Sequence, residues 1–323
     1  MVFVQERKLK GIPYLYVNKT LRIKNTVFKI SKYLGRKGEV SDAQIKKGMK
    51  DFALDVDRKT HALVMKDIRK RYAHLEYPLD LSEVEKIEEM NIKYHEIRKS
   101  LHSKDWMDVK KRFVANFVFE SNALEGNSLT LKNFSEIVFE DKVESSADLR
   151  EVYDAKNSYM VFSDLFDSKR ELTESAIINL HKKIMKNIDN RVGYKKVPNI
   201  LLGRDLELTK PEHVEKEMKM LITWYQDNKD AMYPLELAFK FHHRFEKIHP
   251  FADGNGRIGR MLLNYILIKR GYFPIIIRKT VRERYLKALQ AADLGTYVVL
   301  MRFALEKAKQ THRKFFEVYY HYL

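Results

Sequence analysis

A chain of 323 residues, 45% of them hydrophobic, can bury a sizeable core, which excludes global disorder; the absence of cysteine excludes a disulfide framework and thiolate chemistry. The formal net charge of +17 leaves two readings open, a solvated lysine-rich surface or an anionic partner, either nucleic acid or an acidic protein. The opening MVFVQERKLKGIPYLYVNK lacks the apolar core of a secretion signal, and runs such as MLLNYILI and YVVLM are too short to span a bilayer, so no membrane association and a cytoplasmic location are expected.

Residues 2 to 32 alternate apolar and polar positions in short runs, broken at Gly11-Ile12-Pro13 and at Asn18-Lys19-Thr20, and this period of two predicts a small antiparallel sheet. Thirteen Lys or Arg against three acids place +10 of the net charge within residues 1–50, where nucleic-acid contact is the functional reading. From Ser41, a candidate N-cap, the period becomes helical, and Pro78 breaks the pattern before SEVEKIEEMNIKYHEIRKSL.

Helices are then expected at about 105–123, 131–140, 147–167, 173–187, 211–228, 233–248, 255–271, 280–293 and 297–321. The stretch RVGYKKVPNILLGRDLELTKP, residues 191–211, interrupts them with Gly193, Pro198 and Gly203 around an apolar run, which suits a β-hairpin flap. The final helix carries an aromatic stripe that fits internal packing, with a homodimer contact as the alternative.

Between two of these helices lies HPFADGNGRIGR, residues 249–260. Leu235, Phe239, His242 and Phe245 recur at helical spacing before it, Pro250 stops that helix, and Ile258, Leu262, Tyr265 and Ile266 form the inward face of the next, with Gly271 as its stop. Gly254-Asn255-Gly256 can fold into an anion-binding nest at a helix N-terminus, with Asn255 a candidate cap. Arg257 and Arg260, three apart, share a face and add cationic donors. Asp253 is a hard oxygen ligand suited to Mg²⁺, and the imidazole of His249 can accept a proton near neutrality. Alone, each residue has an ordinary structural reading. Together, in this order, they describe attack by a hydroxyl on a phosphorus of a metal-bound nucleotide.

The stretch is similar to the signature of the Fic family, His-Pro-Phe-x-Asp/Glu-Gly-Asn-Gly-Arg-x-x-Arg, at every fixed position. The resemblance spans about residues 105–275, leaving 1–100 as an N-terminal accessory region and 276–323 as a C-terminal helical extension. It implies a mainly α fold: a Fic-like helical core with a β-hairpin flap, plus a small N-terminal β-rich and helical appendage. It also implies transfer of AMP from Mg²⁺–ATP to a hydroxyl side chain of a target protein. By that resemblance His249 is the general base and Asp253 the Mg²⁺ ligand. Gly254, Asn255 and Gly256 hold the α- and β-phosphates, Arg257 and Arg260 engage the outer phosphates, and Phe251 anchors the loop. The flap at 191–208 would align the target by main-chain pairing. Upstream, SNALEGN (121–127) resembles the family's inhibitory motif, so Ser121, Glu125 and Gly126 would close an inhibitory helix at 105–126 whose Glu125 pairs with Arg260. The same layout run in reverse, with Glu125 orienting water to remove AMP from a modified protein, is the enzymatic alternative.

Overall fold

The computed structural model describes residues 2–23, 26–199 and 208–322, and contacts among them divide the chain into two units, Met1–Leu75 and Glu76–Leu323. The first unit is a three-stranded antiparallel sheet and one helix. Strands β1 (Val2–Leu9), β2 (Ile12–Ile23) and β3 (Thr26–Arg36) pair in chain order. Lys10 and Gly11, both at positive φ, make the first tight turn. Helix α1 (Asp42–Tyr72) begins at Ser41, whose side chain accepts from the Gln44 backbone N–H while Gln44 reaches back, a capping box. Val17 and Ile30 from the sheet close a small core with Phe52 and Val56 from α1.

One sequence expectation fails here. The break predicted at Asn18-Lys19-Thr20 is absent, and β2 runs through it. Asn18 is buried, and its Oδ1 accepts from Arg7 Nη2 at 2.8 Å, so an amide usually found in turns is satisfied within the sheet.

The second unit is helical: α2 (Leu81–Ser100), α3 (Ser103–Leu124), α4 (Leu131–Phe139), α5 (Leu149–Phe166), α6 (Glu174–Ile184), α7 (Pro211–Asn228), α8 (Pro234–Ile248), α9 (Asn255–Lys269), α10 (Arg282–Asp293) and α11 (Tyr297–Thr311). Side chains of Asp80, Thr130, Asp148 and Thr173 cap four of them, and proline opens α7 and α8, where its missing N–H costs nothing. Helices α8 and α9 form the centre. Phe239, Phe241, Phe245, Ile258, Leu262 and Ile266 are all fully buried. His243 ties α8 outward, with Nε2 2.8 Å from Asp293 Oδ1 and Nδ1 3.0 Å from the Tyr297 hydroxyl. Gly271, at φ 77°, ends α9 as its position in the sequence suggested.

The last helix is shorter than the periodicity implied. It stops at Thr311, followed by a π turn over His312–Phe316 and a 3₁₀ turn over Glu317–Tyr322. The wider turn brings both Phe315 and Phe316 against Phe113, with ring centroids 5.3 and 5.6 Å away, which a regular helix would splay apart. Among the described residues, no helix is long and apolar enough to cross a membrane.

Candidate active site

His249 ends α8 in the left-handed region, φ 49° and ψ 60°, because Pro250 bars helical continuation. Its backbone N–H still donates to Phe245 O at 2.9 Å, and Nδ1 lies 3.3 Å from Glu246 O and 3.8 Å from Glu246 Oε2. Carbonyl and carboxylate oxygens accept, so this environment places a ring hydrogen on Nδ1.

The loop after His249 is held by its main chain. Asn255 accepts from Phe251 N and donates to Phe251 O, both at 2.8 Å. This differs from the expected capping role. Gly254, at φ 80°, is the N-cap of α9, and the Asn255 side chain closes the loop on itself. The ring of Phe251 is fully buried and lies 4.0 Å from that of His181, at 4° to it. His181 Nδ1 accepts from Gly193 N at 3.2 Å, so Nε2 donates to Asp253 O, also at 3.2 Å. Burial lowers the His181 pKa to about 4, against smaller raising contributions from Asp253, which keeps the ring neutral in this role.

The first part of the expected flap pairs with this loop. Tyr194 forms an antiparallel bridge with Phe251, Lys195 N donates to Pro250 O at 2.8 Å, and Asn199 Nδ2 donates to Phe251 O at 2.9 Å. Lys195 is itself buried and sends Nζ to Ile248 O at 3.3 Å, next to His249; burial lowers its pKa to about 8. The middle of the 191–208 flap, residues 200–207, lies outside the described residues.

The two arginines of α9, expected to share a face, diverge. Arg257 pairs with Asp154 of α5 and lies 3.3 Å from Asp253 Oδ2, whereas Arg260 turns to α3, donating from Nε to Ser121 Oγ and from Nη2 to Ser121 O, both at 2.9 Å. Each side chain is nearly sealed, and carboxylates on opposite sides draw them apart. Asp253 also accepts from Gly254 N at 2.6 Å and pairs with the exposed Arg150. Among the described residues no group of three or more His, Asp or Glu is placed to hold a metal alone. Asp253 is one hard, partly exposed carboxylate beside the N-terminus of α9, a donor set that fits Mg²⁺ completed by phosphate oxygens and water.

Glu125 stands as the C-cap residue of α3 and completes the site. Its Oε1 lies 2.7 Å from Arg260 Nη2. Burial is the largest single influence on the Arg260 pKa and would lower it, but the charges of Glu125, Tyr285 and Glu246 together with the Glu125 hydrogen bond outweigh it, and the net shift is upward. A Cβ added at Gly256 would collide with Glu125 Oε1 and stand 2.9 Å from Arg260 Nη1, so Gly256 is the floor on which this carboxylate rests. Arg282 Nε donates to Leu124 O at 3.0 Å and fixes the end of α3, while Gly126, at φ 102°, turns the chain away. Glu125, His249, Gly256, Arg260 and Tyr285 line one cavity of about 110 Å³. Ligand pockets usually hold about 300–1,000 Å³, so this space is closed down with Glu125 in place. A larger cavity of about 700 Å³ between α5, α6 and α9 contains none of the motif residues.

The sequence brought His249, Asp253, the Gly254-to-Arg260 set, Ser121, Glu125 and Gly126 forward, and all lie around this loop. It did not point to His181, Lys195, Asp154 or Arg150. A histidine on an amphipathic helix and a lysine in a flap carry no local signal, and their roles arise only when distant segments meet.

Residues 171–267 match the Fic/DOC family. The chain is 27% identical over 206 residues to a Caenorhabditis elegans protein adenylyltransferase, covering 62% of this chain and 40% of that protein. It is 32% identical over 147 residues to a probable protein adenylyltransferase of Aquifex aeolicus, covering 45% of each. The match thus spans less than half the length of these curated relatives. Among solved structures, a Fic-domain signalling protein of Bacteroides thetaiotaomicron superposes with a TM-score of 0.64 at 28% identity, covering 70% of this chain and 94% of that one.

Proposed function

We propose that the site transfers AMP from ATP to a hydroxyl side chain of a protein target and is restrained by its own Glu125. The observation that carries this reading is Glu125 seated on Arg260 and over Gly256, at the place where the terminal phosphates of a nucleotide cradled by α9 would need a cation. The resemblance to proteins named adenylyltransferases supports the class of reaction.

The chemistry follows from the placement of each group. The first N–H groups of α9 have no intrahelical acceptors and suit phosphate oxygens. His249 Nε2 takes the proton of the incoming hydroxyl as its oxygen bonds to the α-phosphorus. The bond to the β-phosphate oxygen breaks, and pyrophosphate leaves. Asp253 would hold Mg²⁺, which when bound supplies charge neutralisation to the phosphates. The target would align along the 191–208 flap, a role supported by the main-chain pairing of Tyr194 and Lys195 with the catalytic loop. Residues 105–275 then act as the catalytic core, with α3 as the inhibitory helix.

Removal of AMP is the second reading, favoured by Glu125 and His249 lining one cavity, where a carboxylate could orient water. The test compares Glu125→Gly with Glu125→Gly/His249→Ala, each incubated with Mg²⁺, α-labelled ATP and a cell lysate. Protein labelling by the first and none by the second supports transfer. If Glu125→Gly labels nothing while the unaltered chain releases AMP from a pre-modified protein, the reverse reading holds.

A further inference from the structure

The small sheet of Met1–Leu75 has two unlike faces. Val17 and Ile30 turn one toward Phe52 and Val56 of α1. The register puts Tyr14, Tyr16 and Tyr33 together on the other, with Tyr16 directly opposite Tyr33. The Tyr33 ring lies 6.0 Å from that of Tyr14 and 5.4 Å from that of Tyr16, and Tyr33 is 53% exposed. A β-bulge after Tyr33 turns Leu34 to the core and returns Arg36 to the tyrosine face, opposite Tyr14.

Arg7 lies across the same face. Its guanidinium sits 4.6 Å from the Tyr16 ring centroid and is held there by Asn18 Oδ1 at 2.8 Å and Ser31 Oγ at 3.1 Å. Among the described side chains, the charged strand positions sharing this face are Arg7, Lys29 and Arg36, all basic; Glu6 falls on the opposite parity of β1 and pairs with Lys37. Residues 1–75 carry nineteen Lys or Arg against seven acids, +12 of the chain's +17.

We propose that this face binds single-stranded nucleic acid, with bases stacked on the tyrosines and the backbone followed by Arg7, Lys29 and Arg36. Unpaired bases offer the π-faces that such rings take, whereas a duplex keeps its bases stacked on one another and presents only phosphate to a flat sheet. An arginine pre-set over an aromatic ring loses little freedom on meeting a phosphate or base. The requirement for exposed rings and same-sign charge on one face favours this ligand over an acidic protein, which needs only the charge. The inference is independent of the nucleotide site and its chemistry.

The test is fluorescence anisotropy of the full chain with labelled 12-nucleotide single strands of RNA and of DNA, and with the matching DNA duplex, at 50 and 200 mM salt. The expected result is tighter binding of at least one single strand than of the duplex, weakening with salt. Tyr33→Leu, which keeps apolar bulk on the strand, is expected to lose about tenfold in affinity, and Tyr33→Phe to retain it. Arg7→Gln is expected to weaken binding and flatten the salt dependence. Circular dichroism of each variant confirms the fold. Equal affinity for duplex and single strand, an unchanged affinity in Tyr33→Leu, displacement by polyglutamate as readily as by unlabelled strand, or no binding at 50 mM salt would each overturn the proposal.

Discussion

Glu125 Oε1 lies 2.7 Å from Arg260 Nη2, joining the end of α3 to the second turn of α9 across 135 residues of chain. The arginine is nearly sealed while the carboxylate is about half-exposed. The pair can therefore exchange its anion without unpacking the core: Glu125 moves into water and a phosphate takes the guanidinium. A fully buried pair would cost several kcal/mol to open. Under the proposed function, partial exposure would let a nucleotide displace this contact.

Gly256→Ala tests the tightness of that seat. The added methyl would strike Glu125, and overpacking of this kind costs about 1–3 kcal/mol. In the Glu125→Gly background the same substitution is expected to cost markedly less, because the nearest obstacle is gone. Urea unfolding of the four proteins in this double-mutant cycle gives the coupling directly, and strict additivity would show that the two positions do not meet.

Arg150→Ala addresses the acid assigned to the divalent ion. Arg150 is exposed and pairs with Asp253, so its removal is expected to lower the Mg²⁺ concentration for half-maximal nucleotide binding by roughly two- to fivefold, in keeping with an exposed pair worth up to about 1 kcal/mol. Calorimetric titration of Mg²⁺ in the presence of nucleotide measures this. Asp253→Ala is expected to abolish the Mg²⁺ dependence.

His181 predicts an acid-sensitive loop. Its pKa is held near 4 in the folded chain, and the unfolded chain protonates near the ordinary value of about 6.5. Within that window the unfolded state binds more protons, so stability falls as the pH drops from about 6.5 to about 4, by at most about 1.4 kcal/mol per pH unit. His181→Phe keeps the stack on Phe251 but removes the titration. Its urea midpoint at pH 7 is expected to be lower, for two lost hydrogen bonds, while the slope between pH 6.5 and 4 flattens.

Lys195 follows the same sign at higher pH. Its folded pKa is lowered to about 8 from a usual value near 10.4, so the cost of burying the ammonium is complete below pH 8 and fades as the pH rises through 10. Lys195→Met is therefore expected to stabilise the chain at pH 7, on the order of 1 kcal/mol after solvent screening, with the gain shrinking by pH 10. Loss of the Nζ contact to Ile248 O should also lower kcat several-fold with little change in KM for ATP, because the turn before His249 is freed. Melting temperatures at both pH values and steady-state labelling read the two effects.

Much of this arrangement was legible in the residues themselves. The helix-stopping Pro250, Gly254 before Asn255 and the terminal Gly271 each act through local backbone rules, and each does so where the sequence placed it. What escaped were consequences of long-range meeting. Asn18 reads as a turn residue until Arg7 and Ser31 satisfy its amide inside a sheet. Arg257 and Arg260 read as one clamp until Asp154 and Glu125 draw them to opposite sides. The helical period of the C-terminal stretch continues past Thr311, but two adjacent phenylalanines both need Phe113.

The most direct test of the central claim uses Glu125→Gly and ATP labelled in parallel at the α- or the γ-phosphate. If Arg260, freed of its carboxylate, takes the outer phosphates and His249 activates a hydroxyl toward the α-phosphorus, label from the α position should appear on protein and label from the γ position should leave as pyrophosphate. Protein labelled from the γ-phosphate, or equal α-labelling by Glu125→Gly and the unaltered chain, would contradict it.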